Sequence, residues 1–191
     1  MTTNFESLQN HFLIAMPQLN DPNFHQTVTY ICEHSSEGAM GITINRPSQV
    51  SFTALTDYLN IKINDAKRSE LIDTQICSGG PVEPERGFIL HSTDKNWQNT
   101  LPVSEDLALS AAFEVIQDIA HGEGPTSFLI SLGCAGWEAG QLEEEIADNA
   151  WLVCEANLDV LFNTPSELRF AAATDVLGID MNFLSPDVGH C

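Results

Sequence analysis

The sequence predicts a mixed α/β domain in which helices cover a mixed β-sheet, and three observations predict it. Apolar runs of strand length crowd the first half, whereas strands and helices alternate in the second. Two glycine-punctuated stretches, residues 77–87 and 133–140, mark places where the backbone must turn sharply or approach a neighbour closely. The 191 residues, 43% hydrophobic and 18% charged, hold no low-complexity linker, repeat or break in composition, so one domain spans 1–191. Its ends, about 1–9 and 185–191, have little drive to order.

The elements follow in chain order. His11 to Met16 is a continuous apolar run ending at Pro17 and reads as a strand buried on both faces. Thr27 to Cys32 is rich in β-branched residues, and Met40 to Asn45 alternates, so the two make an antiparallel hairpin across a polar turn. Ser51 caps a short helix running to Asn60. Gln75–Cys77 and Gly87–His91 are strands on either side of the first glycine stretch. Ser104 to Ala120 has the strongest helical pattern: Ser104 stands at the N-cap, Glu105 and Asp106 suit the positive end of the dipole, and Leu109, Ala112, Phe113, Ile116 and Ile119 form a stripe that Gly122 ends. Ser127–Leu132 is another buried strand, followed by a helix from about Trp137 to Asp148 and a strand over Ala150–Cys154. Thr164-Pro165-Ser166-Glu167 reads as a capping box with proline at the first helical position, opening a helix that ends at Leu177 before Gly178.

Charge narrows the function classes. Seven Lys and Arg stand against 27 Asp and Glu, a formal net charge of −20. Nucleic-acid affinity rests on cations that neutralise phosphates, and anionic membranes attract the same residues, so neither direct DNA or RNA binding nor membrane association is expected. The opening residues show no basic segment followed by an apolar core, and no run approaches the roughly 20 apolar residues of a membrane span, so a cytoplasmic location is expected. The cysteines at 32, 77, 134, 154 and 191 are odd in number and form no Cys-x-x-Cys pair, which suits free thiols rather than a disulfide scaffold or a zinc site.

Several segments carry a family resemblance. Phe12-Leu13-Ile14-Ala15-Met16-Pro17, Tyr30-Ile31-Cys32-Glu33-His34, Gly38-Ala39-Met40-Gly41 leading to Asn45-Arg46-Pro47, Gly79-Gly80-Pro81-Val82, Leu90-His91-Ser92, the run Gly133 to Glu143 and Asn149-Ala150-Trp151-Leu152 resemble the YqgE/AlgH family of bacterial proteins in the same order, from about Asn10 to Gly189-His190. The resemblance implies a branched, partly barrel-like β-sheet surrounded by helices. It brings the family's label of transcriptional regulator and no catalytic residue to carry over. Cys134 and Cys191 stand where an aromatic and a small residue are common in the family.

The residues themselves offer a short set of candidates. Arg46 and Arg86 are scarce cations beside chain-turning residues, and a guanidinium fixed by a rigid turn takes a carboxylate or phosphate in two-pronged fashion. The plainer alternative is that each pairs with a nearby Asp or Glu and pins its loop. Gly79 and Gly80 offer backbone N–H groups to an anion, or close strand packing; they match neither the P-loop nor the dinucleotide fingerprint. Cys134 follows a strand and, if it opened a helix, would gain acidity, but Leu132 stands where a nucleophile elbow needs glycine. His91 is a potential ligand or base, or a strand-end residue. Trp137 would stack on a ligand or anchor packing. The acidic row Glu138, Gln141, Glu145 and Asp148 is a solvated helix face or an attractor for a basic partner. No cofactor or metal is implied. Together these features predict a non-catalytic regulatory or binding module that contacts a protein or a small anionic ligand through loops near Arg46, Gly79–Gly80 and Trp137. The alternative is an enzyme of hydrolytic or thiol chemistry, which requires Cys134, His91 and a carboxylate to converge in one cleft.

Overall fold

Strands β1 (His11–Ala15), β2 (Val28–Ser35) and β3 (Gly38–Thr43) form the hairpin and its neighbour in the computed structural model, which describes residues 6–179. β1 lies between β2 and β9 (Trp151–Glu155), and both its faces are buried, Phe12 and Ile14 in one core cluster and Leu13 and Ala15 in another, which is why its run is apolar without alternation. β2 pairs with β3 across a bulge between Ile31 and Glu33. After helix α1 (Phe52–Tyr58), capped by Ser51 Oγ on Ala54 N–H at 3.1 Å, and the single turn α2 (Arg68–Leu71), the chain forms β4 (Ile76–Ser78) and β5 (Val82–Ser92). The remaining elements are β6 (Thr100–Pro102), β7 (Leu107–Ser110), α3 (Phe113–His121), β8 (Phe128–Glu138), α4 (Gln141–Ala147), then β9, a π turn at Asp159–Asn163, a 3-10 turn at Ser166–Leu168, and α5 (Arg169–Leu177).

The strands join in the order β6-β7-β5-β8-β3-β2-β1-β9, curled into a half-barrel, with β4 branching off β8. β8 makes the branch. Its first half pairs antiparallel with β5 and parallel with β4, and its second half pairs with β3.

Strand alternation sorts the core into three clusters. Phe12, Ile14, Tyr30, Ile42, Leu90 and Leu109 point into the curl, where Leu161 and Ala173 from the C-terminal turns and α5 join them. Ile89 and Ile130 point outward beneath α1 and α3, meeting Phe52, Val115 and Ile119. Leu13, Ala15 and Ile31 point outward at the other end, beneath Leu142 of α4 and the indoles of Trp137 and Trp151.

Three expectations are corrected. The helix expected over 104–120 is two elements. Leu107–Ser110 is a fully buried strand held between β5 and β6, and Ser104 Oγ accepts Leu107 N–H at 3.1 Å in the β6–β7 turn instead of capping a helix. Pairing on both edges outweighs the helical spacing of Leu109 with Phe113. The helix expected from Trp137 begins at Gln141, because β8 runs on through the glycine stretch to Glu138 and Gly140 turns the chain at φ +79°. The capping box at 164–167 does not form: Thr164 Oγ donates to Asp159 O at 2.9 Å and closes the π turn. The tail at 185–191, with Cys191, and residues 1–5 lie outside the described residues.

Candidate functional site

The two glycine stretches meet at the branch of β8. Gly79 N–H donates to Leu132 O, and Gly79 O accepts Thr43 N–H, both at 2.8 Å. A Cβ on Gly80 (φ +149°) would stand 2.3 Å from Cys134 O, and one on Gly133 (φ +74°) would stand 2.5 Å from Gly80 O. These glycines therefore let three backbones pack within hydrogen-bonding distance, as the plainer reading of the sequence proposed.

Beside the branch lies a cleft of about 400 Å³. Asn23, Arg46, Ser48, Ser78 and Gly80 supply its polar lining, and Val50, Pro81, Pro84 and Leu132 its apolar wall. Of the candidates read from the sequence, Arg46 and Gly80 reach it, with Gly79 immediately behind. Asn23, Ser48 and Ser78 carry no sequence signal of their own: Ser48 N–H donates to Ile76 O at 2.7 Å and Ser78 N–H to Arg46 O at 2.8 Å, drawing β4 against the chain leaving β3, and Asn23 enters through its carbonyl, which accepts from Arg46 Nη1.

Arg46 is fixed before any ligand arrives. Its Nη1 donates to Pro22 O at 2.9 Å and to Asn23 O at 2.8 Å, and its Nη2 donates to His25 O at 3.0 Å. The acceptors are carbonyls, not the Asp or Glu side chains the plainer reading expected. A guanidinium has five N–H donors in a planar fork. The three bonds are made through Nη1 and Nη2, and no bond from Nε–H is found among the described residues, so the lateral edge that Nε–H shares with Nη2 keeps a donor open. That lateral edge is a two-donor fork, the arrangement that matches a carboxylate or phosphate in two-pronged fashion.

The other candidates disperse. Arg86 pairs with Glu83 at 2.9 Å on the exposed bulge of β5 and lies over the Phe88 ring at 5.2 Å. His91 is fully buried, its Nε2 on Ser110 Oγ and its Nδ1 on Ser92 O, both at 2.9 Å, with the Trp97 ring edge-on. The register sets His91 opposite Phe128 and Val82 opposite Cys134, which puts the histidine and the thiol about 20 Å apart along β8. Cys134 is buried in mid-strand rather than at a helix start, and burial, then Glu83, push its thiol above the usual range against a smaller opposing pull from Arg86. Burial raises Cys32, Cys77 and Cys154 as well. Trp137 is 6% exposed, stacks on Phe24 and lies edge-on to Trp151. Its indole N–H and that of Trp151 both donate to Glu145 Oε2 at 2.8 Å, so Glu145 of the acidic row is a structural acceptor. Among the described residues no group of three or more His, Cys, Asp or Glu is placed to hold a metal. Sequence reasoning also missed Arg169, buried within the curl, where its guanidinium donates to Ile44 O, Thr164 O and Cys77 Sγ.

The AlgH-like family model matches residues 12–182. The chain belongs to the AlgH-like family. Among AlgH-like relatives, a UPF0301 protein of Marinomonas sp. strain MWYL1 is 62% identical over the whole of both chains, and one of Thioalkalivibrio sulfidiphilus is 46% identical over 98% of this chain and 99% of its own. The solution structure of AlgH from Pseudomonas aeruginosa superposes with a TM-score of 0.78 at 45% identity, covering all of both chains. A crystal structure of a Corynebacterium diphtheriae protein, 18% identical with a TM-score of 0.69 over 97% of this chain and 94% of its own, shares the fold. The AlgH-like fold and its branched sheet are thus as the resemblance implied. No helix among the described residues is long and apolar enough to cross a membrane.

Proposed function

We propose that this AlgH-like protein is a non-catalytic binding module that holds a small anionic ligand in the cleft at the branch of β8. The lateral edge of Arg46, whose Nε–H is left open by a guanidinium already fixed on three carbonyls, carries the reading. A donor pair held in place beforehand loses little conformational freedom on binding. Ser48, Ser78 and Asn23 supply further polar groups around it, and no salt bridge among the described residues neutralises Arg46.

The test is a titration of the full chain with acetate and with inorganic phosphate, followed by amide NMR shifts. The expected result is a saturable shift at Asn23, Arg46, Ser48, Ser78 and Gly80 that Arg46→Gln and Ser78→Asp both remove. Ser78→Asp places a carboxylate in the cleft while leaving the three carbonyl bonds of Arg46 in place. Shifts scattered over the surface, or unchanged in both variants, would refute the reading.

A second reading, docking of a basic protein segment, has its own support. No Lys or Arg lies between Lys95 and Arg169. A groove of about 250 Å³ at the β2–β3 turn is lined by Glu33, Glu37 and Trp137, with Glu138 and the acidic face of α4 nearby. Glu33→Lys with Glu37→Lys would abolish such docking and leave anion binding at Arg46 intact.

A further inference from the structure

The apolar wall of the anion cleft is shared with a second groove. Leu132 lines the cleft on one side and on the other lines this groove, apolar and of about 190 Å³, between α1 and α3. The bulge of β5 runs along both, with Pro84 on the cleft and the next residue, Glu85, on the groove. Leu55, Leu59, Ile89, Ile116 and Ile130 line the groove, and Tyr58 and Phe113 stand at it 83% and 46% exposed. Apolar surface left open beside a fixed cation calls for a molecule with the complementary pattern. Gly87 also lines the groove, and a Cβ built on it meets nothing within 4 Å, so the space above it is unfilled.

We infer that the ligand is a single-chain anionic amphiphile, a medium-chain fatty carboxylate, with its head on the lateral edge of Arg46 and its tail past Leu132 into the groove over Gly87. This rests on the anion reading of the cleft and adds the chemical class. A carboxylate fits the two-donor edge and carries one charge, so it meets less repulsion from a chain of net charge −20 than a phosphate dianion would. The tail gains from each methylene withdrawn from water, whereas a short anion gains from the head alone.

Octanoate, acetate and octanol, titrated separately into the full chain, decide it. Octanoate is expected to bind at least about tenfold more tightly than acetate and than octanol, and to shift the amides of Gly87, Ala112 and Phe113 as well as Arg46. Gly87→Phe is expected to fill the groove, bring octanoate to within about threefold of acetate and leave acetate unchanged. Should that variant fold poorly, Ala112→Leu fills the same groove from its α3 side. If acetate binds at Arg46 and octanoate is no tighter, or if both groove-filling variants leave octanoate unchanged, the amphiphile is refuted and the anion site stands. If octanol equals octanoate, the head contact is refuted. If neither anion shifts Arg46, both readings fall.

Discussion

The carbonyl oxygen of Gly80 occupies the place a side chain on Gly133 would need, 2.5 Å from the ideal Cβ position. Gly133 also takes a φ of +74°, which a side chain disfavours. Gly133→Ala is therefore expected to cost roughly 2–5 kcal/mol, the left-handed penalty and the overpacking together. Gly87→Ala, whose Cβ meets nothing, is expected to stay within about 0.5 kcal/mol of the parent. Denaturant melts of the two variants check the contrast.

Glu145 ties α4 to the sheet through two indoles. Glu145→Ala leaves the N–H groups of Trp137 and Trp151 without their acceptor, at a cost of about 2–3 kcal/mol. Glu145→Gln keeps an acceptor oxygen and is expected to recover more than half of that loss. Thermal melts followed by tryptophan fluorescence report both stability and the change at the indoles.

Arg46 acts on the loop at 22–25 through a planar fork, and one ammonium cannot span three carbonyls in that arrangement. Arg46→Ala and Arg46→Lys are both expected to lose about 1–3 kcal/mol, with faster amide exchange in that loop. Full rescue by lysine would show that charge alone matters there.

The Asp94 carboxyl is held below its usual range, first by Ser92 Oγ and also by the hydroxyl and N–H of Thr126 at 2.9 and 3.1 Å. A lowered value means its support is full above the ordinary aspartate pKa of about 3.9 and is lost as pH falls from there through the lowered value. Asp94→Asn is expected to be less stable than the parent at pH 7, with the gap closing below about pH 4. The carboxyl is exposed, so the gap is small. Paired melts across that range measure it.

The thiols supply a negative expectation. Cys32, Cys77, Cys134 and Cys154 are all buried with raised pKa values. Peptide mapping after brief alkylation at pH 7.5 should show each modified far more slowly in the native than in the unfolded chain.

What the sequence made legible follows a physical pattern. β1 was readable because burial on both faces demands a continuous apolar run, and α1 because Ser51 caps it locally. Leu107–Ser110 was not, because its strand state is set by β5 and β6 rather than by its own residues. β8 beyond Leu132 was misread because Gly133 answers to Gly80 across the branch, not to a turn of its own. In the site, Arg46 stood out as a rare cation beside proline. Its acceptors at 22, 23 and 25 did not, since chain folding alone brings them near. His91 and Cys134 looked like partners only while the register was unknown.

Sharing β8 between the two arms of the sheet removes any seam along which the protein could open by halves. Its first half anchors β5 and β4, and its second half anchors β3 and the hairpin beyond. Fraying on either arm must therefore propagate through the same eleven residues before the other arm is released. The amides from Leu129 to Ala135 would then exchange with solvent only when the whole molecule comes apart, and a chain severed within that stretch would leave two fragments that must find each other to regain either arm.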